Sequence, residues 1–597
     1  MRHTGSVPSQ RATLAAEWDL RDVVSGKAQG LGAVREELEK EISSFEQRRG
    51  ALAGLDSRGV AAALDAYSRI HELRARVNCY AQLLFSEDTR NQDVKVLVDQ
   101  ASDLWADTDN RTLFFRLWWI GLPDERAAAL KPGDPDNGYF LDTLRRLRPF
   151  TLEEKVEQTI NLKSSTGIWQ WVHHYDHLTS SYTFILNPKE EKARPKRLVS
   201  SEVARLFASA DAAARRAAYV AFLSKYSENR DILGDVYRTV VRDWRNEYVK
   251  MRGYASPISA RNMENEVSDA AVSTLLAECK RNAKVFQDFF SLKAKLMGWK
   301  KMSRYHIYAP LSRKEKKVSF AEGVDQVGKA FESFDRGFAS LFRRTFEERH
   351  VDAYPRVGKR SGAYCMSVTP RMVPYLMLNF AGTPRDVYTI AHESGHAVHS
   401  QLASQHSMLT FHPTLVLAET ASVFGEMILF DAMMDRERDD EVKRGVLLDK
   451  ISSTYATIGR QSHFVMFEID AHAAVERGAK VDDLDAIYLK NLKEQFGGKV
   501  DVPDEFRWEW VSIPHIYHTP FYCYAYAFGN LLSLSLYQRY RKEGKGFVPK
   551  YLRLLSHGGS KSPGGILEEV GVDIESADFW EGGYEVIRRM VSDLRSL

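Results

Sequence analysis

His392 and His396 stand four residues apart in the stretch Asp386-Val387-Tyr388-Thr389-Ile390-Ala391-His392-Glu393-Ser394-Gly395-His396. The flanks predict a helix: Thr383 can cap its N-terminus, Pro384 suits the first helical position, and Asp386 completes a capping box. On a helix, residues four apart share a face, so both imidazoles project together, one turn from each other. That arrangement suits two nitrogen ligands on a single zinc ion. Glu393, beside the first histidine, need not bind the ion and is placed to take a proton from a water that the ion activates. The competing reading is a pair of core histidines that only satisfy hydrogen bonds.

A catalytic zinc usually takes three protein ligands and leaves one position for water. Position 402, where a third histidine would complete HExxHxxGxxH, is Leu402, which excludes that pattern. His399 shares the helical face, but a third ligand from the same helix is hard to arrange tetrahedrally, so it is assigned to support behind the ligands or to packing. Residues 415–429 form an apolar stretch, predicted helical, interrupted by Glu419 and Glu426, seven apart and so on one face. A buried carboxylate without a partner is costly, and a metal ion would be that partner. Glu419 is assigned as the third ligand and Glu426 as a carboxylate behind the site, holding a ligand imidazole. A solvated face is the alternative, against which the apolar flanks argue.

Residues 513–526, IPHIYHTPFYCYAY, crowd tyrosines and histidines around a proline turn. Peptide hydrolysis builds negative charge on the carbonyl oxygen, and a phenolic O–H or a neutral imidazole aimed there can stabilise it. Tyr517 and Tyr524 are seven apart and would face one way on a helix. Ordinary aromatic core packing is the alternative.

The elements that must position these residues belong to a chain of 597, too long for one hydrophobic core, so two or more lobes are expected. With 44% hydrophobic and 27% charged residues the balance is globular. Lys plus Arg (83) nearly cancels Asp plus Glu (80), which gives no electrostatic case for nucleic acid or an anionic membrane. Cys79, Cys279, Cys365 and Cys523 are far apart and in no CxxC pattern, so a disulfide framework or cysteine zinc site is not expected and a reducing compartment fits. The N-terminal residues hold no signal-like apolar stretch, and no run of about 18 uninterrupted apolar residues occurs. A cytoplasmic protein is expected.

Residues 14–147 show helical periodicity, with Gly-Leu-Pro and Pro-Gly-Asp-Pro joins. Residues 186–197 make a charged, proline-containing connector, a hairpin or surface loop, after which helices resume. The expected division is an N-terminal helical lobe, 1–199, and a catalytic domain, 200–597. Strand character is confined to residues 305–380, in YHIYAPL, SGAYCMSV and PYLMLNF. A small sheet just before the metal helix would suit an enzyme that binds extended peptides along an edge strand, with Gly362, Ala363 and Tyr364 as the candidate contacts. A sheet that only props up the helix is the alternative.

Together these segments resemble a known family, the thimet-oligopeptidase-like zinc metallopeptidases, and within it the bacterial oligoendopeptidase F group. The resemblance runs through Gly358 to Tyr364, Thr389 to Ser400, Ala418 to Ser422 and residues 513–526. Trp18-Asp19-Leu20 is similar to the family's N-terminal start, and Gly558 to Pro563 with Gly571-Val572-Asp573 to its C-terminal segment. The stretch from His515 to Tyr524 is shorter than in the mammalian thimet-type enzymes. The resemblance implies a mainly α fold, two lobes around a deep central channel, with a small sheet beside the zinc helix. It implies one zinc per chain held by His392, His396 and Glu419, and Glu393 as general base and acid. It also implies Tyr517 and Tyr524 at the scissile carbonyl with His515 nearby, and a channel that admits short unstructured peptides.

On this reading Glu393 deprotonates the attacking water, Tyr524 stabilises the oxyanion beside the ion, and Glu393 passes the proton to the leaving amine. The expected activity is internal cleavage of oligopeptides. Two alternatives stay open: a peptidyl-dipeptidase trimming C-termini with the same zinc site, and a non-catalytic peptide-binding protein. Against the second stands Glu393, for which binding alone has no use.

Overall fold

The computed structural model describes residues 16–186, 196–310 and 317–597. Helices dominate, as expected, and among the described residues no strand exceeds three residues. The chain folds into two compact units, neither of them one stretch. The first holds residues 16–115, 128–137 and 317–412; the second holds 116–127, 138–186, 196–310 and 413–597. The position 199/200 lies within the chain of the second unit. The four cysteines are unpaired.

In the first unit, helices Lys27–Gln47 and Ser57–Glu87 pair through a buried seam in which Phe45 stacks on Tyr67, with ring centres 5.6 Å apart. Helices Phe320–Phe334 and Arg336–Glu347 pack against helix Pro384–Leu402, which carries the histidines. Gly323 permits their close approach: a Cβ there would lie 3.3 Å from Ile390 Cδ1. The small sheet of this unit has strand Tyr375–Met377 at its centre, parallel to Val351–Asp352 and antiparallel to Tyr364–Met366. Tyr364 faces Met377 and Met366 faces Tyr375 across the antiparallel pair.

Two of the three expected strand runs are therefore strands. The third, around Tyr305, is a 3-10 turn, Arg304–His306. Its backbone is drawn inward because the buried Arg304 guanidinium reaches Glu509 at 2.7 Å and because Tyr305, Ile307 and Ala309 are all buried. Strands Phe184–Leu186 and Lys196–Leu198 pair antiparallel, as the arms of the expected hairpin; its residues 187–195 lie outside the described residues.

The second unit is centred on helices Thr420–Arg436, Tyr524–Glu543 and Ala577–Ser596. Phe528 meets Trp580 edge-on at 4.9 Å, and Gly583 lies against Leu531. The apolar run at 112–120 belongs to helix Gln92–Gly121, where Phe115 and Trp119 are buried. No helix among the described residues is long and apolar enough to cross a membrane.

Candidate active site

Helix Pro384–Leu402 starts as its sequence dictates. Thr383 Oγ1 accepts the Asp386 N–H (3.3 Å), and Asp386 Oδ2 accepts those of Thr383 (2.8 Å) and Ala381 (3.1 Å), fixing the join to the sheet. Between Ile390 and His399 every residue is buried except His392 and His396, so the helix opens only along its histidine face. The two rings are 5.0 Å apart at 82°, and each offers a nitrogen within 4.8 Å of the other's. Those donors fit a divalent ion that prefers nitrogen. Glu393, next to His392 in the chain, is buried, 7% exposed. Burial, and then the charge of Glu393, push the Cys365 thiol well above its ordinary range, so it stays protonated. His399 is buried in the core; burial, and then His396, push its pKa down to about 3 and keep it neutral.

The sheet beside this helix is built on a buried ammonium. Lys359 Nζ donates to Asp352 Oδ1 (2.8 Å), to Leu378 O (2.6 Å) and to Tyr354 O (2.9 Å), while Arg356 grips Asp352 with two bonds of 2.7 Å. Asn379 Nδ2 donates to Gly362 O at 2.7 Å, and Gly362 takes φ +86°, which suits glycine. Gly362 is exposed, and Ala363 and Tyr364 are half-buried, with the Tyr364 hydroxyl donating to Ser86 Oγ at 2.8 Å. Strand Tyr364–Met366 stands at the edge of its sheet, the position from which an extended peptide can be paired.

In the second unit, the stretch expected as one helix over 415–429 is two, Leu415–Ala418 and Thr420–Arg436, broken at Glu419. Glu419 and Glu426 therefore do not share a face by simple helical spacing. Ser422 Oγ donates to Glu419 Oε2 at 2.7 Å and to Glu419 O at 3.1 Å, which stabilises the break and orients the half-buried carboxylate. Helix Tyr524–Glu543 backs the turn with small residues: a Cβ on Gly529 would lie 3.1 Å from Glu419 Cβ, and Ser533 Oγ donates to Glu419 O at 3.1 Å. Glu426 has the Lys450 ammonium at 2.6 Å.

The aromatic segment differs from expectation. Tyr517 is buried, stacked on Tyr175 with ring centres 3.9 Å apart, and its hydroxyl donates to Leu233 O and Val511 O at 3.4 Å. Tyr524 is fully buried and its hydroxyl accepts from Asn265 Nδ2 at 2.8 Å. Neither phenol is free to meet a substrate carbonyl. The reason is the turn over residues 519–523 between helices His515–His518 and Tyr524–Glu543, which removes the helical phase that a seven-residue spacing presumes.

His515, Tyr522 and Tyr526 are instead the half-exposed ring side chains here. Tyr522 and Tyr526 rings lie 5.1 Å apart, and His515 lies 6.2 and 5.9 Å from them. Burial, then a hydrogen bond with Tyr522 and more weakly the Glu419 charge, raise Tyr526 above its ordinary value, so its O–H is a donor at neutral pH. Burial, with His518 and Arg460, lowers His515, which is neutral there. A signal for Tyr526 is present in the sequence: Tyr526, Gly529 and Ser533 share a helical face, and its small residues are those that admit Glu419. Tyr524 shares its face with Phe528 and Leu531 of the core.

Asp22, Glu348 and His350 form a second group of potential donors. Hydrogen bonds of His350 and an Arg344–Glu348 ion pair account for it. His350 Nδ1 donates to Val373 O (2.8 Å), Nε2 faces Asp22 Oδ2 (3.1 Å), and Arg344 binds Glu348 at 2.6 Å.

Known proteins share this fold. The chain is 26% identical over 547 residues to an oligoendopeptidase F homolog of Borreliella burgdorferi, covering 89% of this chain and 90% of that one. It is 24% identical over 543 residues to the oligopeptidase PepF of Bacillus subtilis, covering 90% and 80%. The crystal structure of oligoendopeptidase-F from Enterococcus faecium superposes with a TM-score of 0.73 at 20% identity, over 95% of this chain and 98% of that one. The sequence pattern of peptidase family M3 matches residues 205–586, well over half of the chain, and with it the protein belongs to peptidase family M3.

Proposed function

We propose that this M3 peptidase is a zinc-dependent endopeptidase that hydrolyses internal bonds of short, unstructured oligopeptides in the cytoplasm. The observation that carries the reading is the histidine helix, with two half-exposed imidazoles on one face and a buried glutamate directly after the first. His392, His396 and Glu419 would hold one ion, since two imidazoles and a carboxylate are the donor chemistry of a catalytic zinc. When bound, zinc supplies a Lewis acid for the scissile carbonyl and lowers the pKa of water. Glu393 takes the proton of the attacking water and delivers it to the leaving amine nitrogen. The Tyr526 hydroxyl donates to the developing oxyanion, with Tyr522 and His515 beside it. The edge strand with Gly362, Ala363 and Tyr364 pairs the substrate backbone whatever its side chains. Glu426, with Lys450 as its neighbour, orients a ligand imidazole.

The names of the relatives support oligopeptides cut internally. The start of the family match at residue 205 supports a catalytic region over 200–597. The four unpaired cysteines support a reducing compartment. Products from a synthetic peptide blocked at both ends test the reading: internal fragments by mass spectrometry are expected. Cleavage of open peptides only, two residues at a time from the C-terminus, would establish the peptidyl-dipeptidase instead.

A further inference from the structure

The turn that presents Tyr522 is held from its inner side by side chains with no part in the reaction above. Phe521 has φ +59°, in the left-handed region that a β-carbon disfavours. Glu468 Oε1 accepts the Phe521 N–H at 2.8 Å, and Arg261 Nε donates to Pro520 O at 3.2 Å. With Asn265 on the Tyr524 hydroxyl, the segment 520–524 is fixed from behind while Tyr522 and Tyr526 face the other way. Glu468 lies on helix Gln461–Glu476 and is fully buried. Its second carboxyl oxygen, both ring nitrogens of His472 and the Tyr237 hydroxyl are buried without a hydrogen-bond partner among the described residues. A carboxylate charge in such surroundings is costly.

We propose that Glu468 is a positioning residue for peptide hydrolysis: its carboxyl oxygen holds Phe521 in its left-handed conformation and so aims Tyr522 and Tyr526 at the bound peptide. The proposal rests on the peptidase reading above. Burial, opposed by the Phe521 N–H and the Arg261 charge, pushes Glu468 up to about 8. The groups facing it are Arg261, itself paired with Glu264, Tyr237 from helix Arg230–Trp244, Cys523 from the turn, and His472 one turn along its own helix. Burial, and then the Arg245 charge, push His472 down to about 3, so it is neutral. Above about 8 the ionised Glu468, whose bond from the Phe521 N–H strengthens, competes with Glu264 and Pro520 O for Arg261, and the hold on Pro520 weakens.

The test compares Glu468→Leu and Glu468→Gln with the wild type, all zinc-loaded, on a blocked peptide from neutral pH to well above 8, alongside hydrogen exchange at the Phe521 amide. Glu468→Leu should lower kcat by about tenfold to a hundredfold with little change in KM or zinc content, and should speed exchange at Phe521. Glu468→Gln keeps the acceptor, so it should recover most of that turnover and lose the decline near pH 8. Wild-type kcat in a folded Glu468→Leu, or equal losses in both variants, would overturn the proposal. A wild type that cleaves no peptide would remove the peptidase reading and this proposal with it, and faster exchange at Phe521 would then mark Glu468 as structural.

Discussion

Tyr526 and Tyr524 sit two residues apart and face opposite environments, the first half-exposed and the second fully buried. Tyr526 has its hydroxyl beside Tyr522 and within reach of the Glu419 charge, whereas Tyr524 is fully buried against Asn265. Tyr526→Phe should lower kcat by about a hundredfold and leave the melting temperature near that of the wild type. Tyr524→Phe should cost stability of about 1 kcal/mol through the lost Asn265 bond, with a smaller effect on kcat. Steady-state kinetics with thermal melts on both variants check this, and the reverse pattern would restore Tyr524 to the carbonyl. His392, Glu393 and His396 were legible in the sequence because one helix, with its cap written beside it, carries all three. The tyrosines were not, because the turn that sets their phase is held by Glu468 and Arg261, 53 and 259 residues away along the chain.

Among the elements, the break at Glu419 matters most, because it turns a carboxylate out of an apolar helix without burying its charge alone. Gly529 and Ser533 make room for it, and Ser422 orients it. Gly529→Val would put a branched side chain into a space where a Cβ already meets Glu419 Cβ at 3.1 Å. It should lower zinc affinity by about tenfold to a hundredfold in a protein that still folds, measured by competition with a metal-sensitive dye. Wild-type affinity would detach Glu419 from the ligand set. The carboxylates were visible in the sequence as charges within an apolar run, but the break was not, since Leu, Val, Ala, Thr and Met around it are acceptable within a helix. The same limit applies to YHIYAPL, whose β-branched and aromatic residues suit a strand and whose turn is set by the distant Glu509.

At the scale of the whole molecule, the two compact units are assembled from stretches far apart in sequence, which helical periodicity cannot reveal, whereas the mainly helical class could be read from that periodicity directly. Buried neutral histidines contribute to the acid limit of stability. Burial, opposed by a hydrogen bond to Gly459 O, pushes His463 down to about 4, and burial pushes His472 to about 3. Below the ordinary value of 6.5 the unfolded chain takes up protons that the folded chain refuses until those lower values. The stability from both groups is therefore complete above 6.5 and lost as pH falls towards 4 and 3. Urea unfolding midpoints should drop over that window, and His463→Gln should flatten the drop.

The most direct test of the central claim is cleavage of an internally quenched oligopeptide by the wild type and by Glu393→Gln, each with and without a metal chelator. The account predicts internal cleavage by the wild type that stops on chelation and returns with zinc. In Glu393→Gln it predicts a loss of about 10²-fold to 10⁴-fold with zinc still bound. Cleavage that survives chelation, or turnover near that of the wild type in Glu393→Gln, would contradict it.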